Sequence, residues 1–247
     1  AYYPRFVGGA EVAIKEITDR IGPAEIEFHL ICMRFDSHLP REEKIGNVFV
    51  HRVGFGKAGA APNTSYGLLW YIDKILFVPA ATLKGIRLNR KHHFDALWAM
   101  MSYMVFPIVF MRLCDTRLPY VLTLQEGDLF EQVFGRASMK PFLFLLRRGF
   151  REATVIQVIS SYLGNWAAAF KYKGPVELIP NGVDTGRFAG EHVPHAGTVL
   201  ITTSRLVHKN AIDDIIRALA LLPADVRLRI LGTGPSEQLL KSLAQEL

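Results

Sequence analysis

Residues 176–187, VELIPNGVDTGR, and residues 198–210, TVLITTSRLVHKN, decide the fold of this chain. The first segment is an apolar run that ends in Ile179-Pro180 and passes into Asn181-Gly182. Proline cannot donate to a strand ladder and Asn-Gly tolerates positive φ, so a strand stops there and the chain turns. Residues 199–203 then predict a new, buried strand, and Ser204-Arg205 with Lys209-Asn210 lie between it and a strongly periodic helix. An α/β sheet places anion-binding groups at such a position, where the carboxyl end of a strand faces a helix N-terminus.

Working outward, 247 residues suffice for one large or two ordinary domains, and 50% hydrophobic with 21% charged residues is a globular composition that excludes disorder. Cys32 and Cys114 stand in apolar surroundings without metal-ligand spacing, which predicts buried thiols in a reducing, cytoplasmic compartment. A net charge of +6 and a pI near 9.4 favour anionic partners: nucleoside diphosphates, acidic lipid headgroups or nucleic acid. The cations are not interleaved with aromatic residues as a base-stacking platform requires, which disfavours nucleic acid.

Ala10, Ile14, Ile17 and Ile21 recur at helical spacing after Gly8-Gly9, and glycines there let a backbone approach a ligand closely. Residues 26–32 and 47–53 read as strands, with the charged stretch 34–44 between them as a solvated loop. A small-residue loop at 58–63 precedes a long apolar helix over 66–83. The basic stretch after it, Lys84, Arg87, Arg90, Lys91, His92 and His93, reads as a solvated loop or as a contact for anionic lipid. The uncharged run 96–111 is shorter than the roughly 20 residues a bilayer core needs and contains Pro107, so it predicts a buried strand at 95–100 and a buried helix rather than a membrane span.

Further strands are predicted at 120–124 and 155–159. An apolar helix over 141–150 ends in Arg147, Arg148 and Arg151, which compensate its dipole, and Ser160-Ser161 caps a helix running to about Tyr172. Residues 184–197 form a linker with glycine at 186, 190 and 197 and proline at 194. Beyond it a strand, a helix carrying Ile212, Ile215, Ile216, Leu219 and Leu222, and a strand at 226–231 form one unit, with Pro235 opening a last helix.

Together, Pro180-Asn181-Gly182-Val183-Asp184 with Phe188, then Ser204-Arg205-Leu206 and Lys209-Asn210, then Gly232-Thr233-Gly234-Pro235, resemble in order and distance the GT-B glycosyltransferases of family four. Pro4 with Gly8-Gly9-Ala10-Glu11 is similar to that family's N-terminal glycine loop, and Ser160-Ser161 to the serine after its strand. Gln125-Glu126-Gly127-Asp128 resembles the family's His-Gly or His-Asp element over the donor sugar, with Glu126 where the histidine usually stands. The resemblance implies an α/β GT-B fold of two Rossmann-like domains across a cleft: an acceptor domain over 1–190 and the start of a donor domain over 191–247.

It also implies that the strand before the glycine loop and much of the C-terminal domain lie outside this sequence, so that the piece alone is expected to be inactive. The implied activity is transfer of a sugar from a nucleoside-diphosphate sugar to a glycan or lipid-linked acceptor, with retention and without cofactor. The lack of an Asp-x-Asp triplet leaves no metal ligands for the diphosphate and predicts metal-independent transfer. Candidate catalytic residues are Arg205, Lys209 and Glu126, and candidate donor-binding residues are Gly8, Gly9, Asn181, Gly182, Asn210, Gly232 and Gly234. The family more often has lysine where Asn210 stands, and Lys209 is one residue earlier. A peripheral contact with the inner face of an anionic membrane is the further expectation. A GT-B sugar-nucleotide epimerase and a non-catalytic nucleotide-binding scaffold are the alternatives.

Overall fold

The apolar runs and periodic segments fold, in a computed structural model describing residues 2–3, 7–60, 67–114, 117–190 and 197–247, into two compact units, Ala1–Val183 and Asp184–Leu247. Pro4, residues 61–63 of the predicted small-residue loop, Tyr66 at the predicted helix start and Pro194 of the linker lie outside the described residues.

Unit 1 begins with helix α1 (Gly9–Thr18), strand β1 (Phe28–Met33), strand β2 (Glu42–Ile45) and strand β3 (Val48–Val53). β1 pairs with β3 in parallel, and β2 returns antiparallel onto the other edge of β3. The stretch 34–44 is therefore not wholly a loop. Gly46 at φ +57° makes a tight reversal between β2 and β3, so Glu42–Ile45 can pair as an exposed edge strand.

Helix α2 (Leu68–His92) corrects the sequence reading of 84–93 as a loop. Its buried residues Asp73, Phe77, Ala81, Gly85 and Leu88 recur at three or four residues straight through the basic stretch, so the cations occupy the outer face of the last turns. Arg90, Lys91 and His92 then meet the carbonyl end of the helix, where positive charge is favoured. Asp73 ties the helix to the loop after β3 by accepting the backbone N–H groups of Phe55 at 2.8 Å and Gly56 at 3.0 Å.

The second sheet of unit 1 follows: β4 (Leu97–Met100), α3 (Val105–Leu113), β5 (Tyr120–Leu124), α4 (Phe130–Phe134), α5 (Leu143–Arg151), β6 (Val155–Val158), α6 (Ser161–Ala169) and β7 (Val176–Leu178). The strands pair in parallel in the order β4-β5-β6-β7, which brings the loops at their carboxyl ends to one edge. Its core is a contiguous set around Leu122, Leu124, Leu146, Phe150, Ile156, Leu163 and Trp166. Ser160 is the N-cap of α6, accepting the N–H of Leu163. α5 starts at Leu143, after a 3-10 turn over Ala137–Phe142 that contains Pro141, two residues later than periodicity suggests. Gly85 and Gly149 let α3 lie close to α2 and α5: an added Cβ would come within 2.6 Å of Met111 Sδ and of Val105 Cβ respectively. Cys32 is buried as expected, whereas Cys114, at the C-cap of α3, is exposed.

Unit 2 comprises β8 (Val199–Thr203), α7 (Ile212–Leu219), β9 (Arg227–Leu231) and α8 (Glu237–Glu246), with β8 and β9 parallel. Leu206, Ile212, Ile216 and Leu240 are its buried core. The predicted burial of β8 is not met: helices cover the face of Leu228 and Ile230, while Ile201 is 65% and Leu231 51% exposed on the other. Pro235 lies in the turn before α8, whose N-cap is Ser236. Among the described residues no helix is long and apolar enough to cross a membrane.

Candidate functional site

In unit 1 the predicted residues Glu126, Asn181 and Gly182 fall on the carboxyl edge of the β4-β5-β6-β7 sheet, whereas Gly8 and Gly9 open α1. Glu126, directly after β5, is only 9% exposed. Its Oε1 accepts the backbone N–H of Ser102 at 2.5 Å and its Oε2 that of Gln125 at 3.0 Å. One carboxylate thus ties the loop after β5 to the loop after β4. Between those contacts Met101 is held at φ +75°, ψ 153°, a conformation that costs a non-glycine residue about 1 to 3 kcal/mol and is kept only where the surroundings enforce it. The Ser102 hydroxyl beside it is buried without a hydrogen-bond partner.

Gln125 extends the edge. Its Nε2 donates to Asn181 Oδ1 at 3.0 Å, so the turn after β7 meets the loop after β5 across the end of β6. Gln157 Nε2 donates to the Ile179 carbonyl at 2.7 Å and fixes the start of that turn. A Cβ at Gly182 would meet nothing within 4 Å, nor would one at Gly9. The N–H of Gly8 is engaged by Glu11 Oε2 at 3.0 Å, which caps α1. The structure therefore joins Glu126 and Asn181 through Gln125.

In unit 2 the loops after the two strands are packed backbone against backbone. Ser204 N–H donates to Leu231 O at 3.1 Å, Leu206 N–H to Thr233 O at 2.9 Å and Ser236 N–H to Leu206 O at 3.0 Å. A Cβ at Gly232 would stand 1.8 Å from the Ser204 carbonyl oxygen, and one at Gly234 2.2 Å from that of Leu206. Both glycines are required by this approach. Asn210 Nδ2 donates to Arg205 O at 2.7 Å, closing the loop that carries the exposed side chains of Arg205 and Lys209.

The electrostatics of this loop depend on its cations rather than on the helix behind it. The first turn of α7 already holds Asp213 and Asp214. Arg217 donates to Asp213 at 2.6 Å and to Asp214 at 3.2 Å and holds the Asp213 carboxyl below the usual range, so both carboxylates of that turn are paired.

Sequence reasoning missed the anchoring done by Ser102 and Gln125, since neither side-chain type announces a partner from another strand. It also missed a cluster in unit 1, in which ligand atoms of Glu27, His29 and His92 lie within 4.8 Å of one another. Glu27 and His29 are legible as alternate residues on one face of a strand. His92 comes from the far end of α2.

The sequence profile of Glycosyltransferase Family 4 matches residues 7–187. A GDP-mannose-dependent alpha-(1-6)-phosphatidylinositol monomannoside mannosyltransferase of Mycolicibacterium smegmatis is 34% identical over 116 residues, covering 41% of this chain and 30% of that protein. Sucrose-phosphate synthase of Thermosynechococcus elongatus superposes with a TM-score of 0.70 at 14% identity over 97% of this chain and 62% of that one. A UDP-forming α,α-trehalose-phosphate synthase of Burkholderia xenovorans gives 0.59 at 13% identity over 97% and 66%. The chain thus spans less than two thirds of each of these relatives. At these identities the two structures show the fold, which is GT-B.

Proposed function

The chain belongs to Glycosyltransferase Family 4, and on that premise we propose that the whole protein moves a hexose from a nucleoside-diphosphate sugar to a lipid-linked or glycan acceptor. The observation that carries the reading is the loop 204–210. Its backbone is locked by Asn210 and by the glycine-rich turn after β9, and it presents two cations, Arg205 and Lys209.

Transfer breaks the anomeric C–O bond and leaves negative charge on the departing diphosphate. Arg205 and Lys209 stabilise that charge as it forms, and a loop fixed in advance does so without reorganisation. Asn210 acts through Arg205 and Lys209 by fixing their loop. Glu126 likewise acts as a positioning residue: its carboxylate is spent on two backbone N–H groups and sets the loops that Gln125 and Asn181 continue. The reaction proceeds with retention and needs no divalent ion.

The mannosyltransferase relative, named for GDP-mannose and phosphatidylinositol monomannoside, supports GDP-mannose as donor and a phosphatidylinositol-mannoside lipid as acceptor. The exposed face of α2 supports such an acceptor. Leu68, Tyr71, Ile72, Ile75 and Leu76 form an exposed apolar stripe at helical spacing, followed by Lys84, Arg87, Arg90 and Lys91. A helix with this pattern rests on an anionic bilayer, each cation near the surface contributing about 1 kcal/mol. This pattern supports a peripheral position at the inner face of a membrane.

The test is transfer by the full-length protein carrying this sequence, supplied with GDP-mannose or UDP-glucose and phosphatidylinositol-type acceptors in chelator, with the anomeric configuration read by NMR. Acceptor-dependent release of nucleoside diphosphate with a retained linkage is expected. Epimerisation of the donor without acceptor, or nucleotide binding without turnover on any acceptor, would sink the proposal.

A further inference from the structure

Apart from the loops at the carboxyl edge of the second sheet, the amino end of β1 carries a second group of polar side chains. Glu27 stands just before β1, His29 lies within it, and His51, two residues beyond His29's partner Phe49 in β3, shares the face of His29. His29 Nε2 is 2.7 Å from Glu27 Oε1, and His92 Nδ1, on the last residue of α2, is 3.3 Å from the same oxygen. His92 is held there by a left-handed C-cap at His93. The rings of Phe49 and Phe94 flank His29, with centroids 5.0 and 5.2 Å away.

His29 Nδ1 is 3.0 Å from His51 Nε2, which occupies the inner nitrogen of His29 and turns Nε2 toward the group. His29 Nε2 and His92 Nδ1 thus both face the same carboxylate oxygen of Glu27, and three side chains that can each ligate a metal ion converge.

We propose that Glu27, His29 and His92 bind a divalent transition-metal ion of the zinc class. Zinc takes imidazole nitrogen and carboxylate oxygen at about 2.0 to 2.2 Å, which sets ligand atoms of a tetrahedral site roughly 3.3 Å apart, and here two of the spacings are 2.7 and 3.3 Å with all three atoms within 4.8 Å. The His51–His29 contact is the outer hydrogen-bonded support such a ligand uses to fix its tautomer, and the phenyl rings limit water around it. The ion pins the end of α2 to the start of β1. This site is separate from sugar transfer and is structural, with its fourth position left to water.

The 247-residue chain, prepared without a polyhistidine tag and stripped with chelator, is titrated with Co2+ by absorption and with Zn2+ by calorimetry. One equivalent should bind, with low-coordinate Co2+ bands that Zn2+ displaces. A hundredfold excess of Zn2+ over its dissociation constant should raise the melting temperature by about 5 to 10 °C. Glu27→Gln and His92→Gln, at solvent-accessible positions that leave the core intact, should each weaken binding about tenfold or more, and His51→Ala about tenfold through His29. Absence of stoichiometric binding at submillimolar Zn2+, or affinity unchanged in both Glu27→Gln and His92→Gln, would overturn the assignment and leave a shared proton as the group that holds the three side chains together.

Discussion

Lys209 and Asn210 are neighbours whose side chains do different work. The amide of Asn210 is committed to the Arg205 carbonyl, while Lys209 is exposed on the loop surface. Removing a charge that stabilises the departing diphosphate should lower turnover more than donor affinity, so Lys209→Ala is expected to lose roughly a hundredfold in kcat with a smaller change in KM. Asn210→Ala should loosen the loop and weaken donor binding and turnover together. Steady-state kinetics with varied donor separates the two, and a near-normal Lys209→Ala beside a disabled Asn210→Ala would reverse the assignment. Glu126→Gln is a third residue-scale test. An amide can keep one acceptor for the N–H groups of Ser102 and Gln125 but loses the charge and sets its NH2 against a donor, so unit 1 should lose about 1 to 3 kcal/mol of stability. Thermal or urea unfolding reads this, and a variant as stable as the parent would show that the carboxylate does not hold the two loops.

Two elements depend on contacts that a single atom can disturb. Helices α3 and α5 meet where Gly149 faces Val105, and a methyl group there would overlap the valine side chain. Gly149→Ala should therefore cost about 1 to 3 kcal/mol by overpacking, read as a lower unfolding midpoint in urea. The apolar stripe of α2 is the opposite case, because its residues touch little within the protein. Replacing Ile75, 73% exposed, and Leu76 together by serine should leave stability nearly unchanged and reduce sedimentation with phosphatidylserine vesicles severalfold. Vesicle binding unaffected by the pair would remove α2 as the membrane face. The helix also shows how element boundaries escape sequence reading. Its basic last turns resemble a solvated loop until Gly85 and Leu88 are seen to carry the buried face onward. The hairpin strand β2 was hidden in the same way, since Glu42–Ile45 is charged because it is an edge.

For the whole protein, a diphosphate neutralised by Arg205 and Lys209 predicts turnover that survives chelation at 25 °C, measured as product formed in EDTA against added Mg2+ or Mn2+. Turnover abolished by chelator and restored only by one of those ions would require a metal at the diphosphate. The sequence by itself determined most of the succession of strands and helices and the family, because apolar periodicity, turn-forming dipeptides and ordered glycine motifs are local signals that need no knowledge of the partner element. It could not determine that Glu126 is turned inward onto Ser102, that Gln125 grips Asn181, or that His92 joins Glu27 and His29. Those pairings span 24, 56 and more than 60 residues of chain. They exist only because parallel strands bring their loops to one edge and a 25-residue helix returns its last turn to the start of β1. A side chain's type is written in the sequence, but the groups that desolvate it, charge it or accept its proton are chosen by packing.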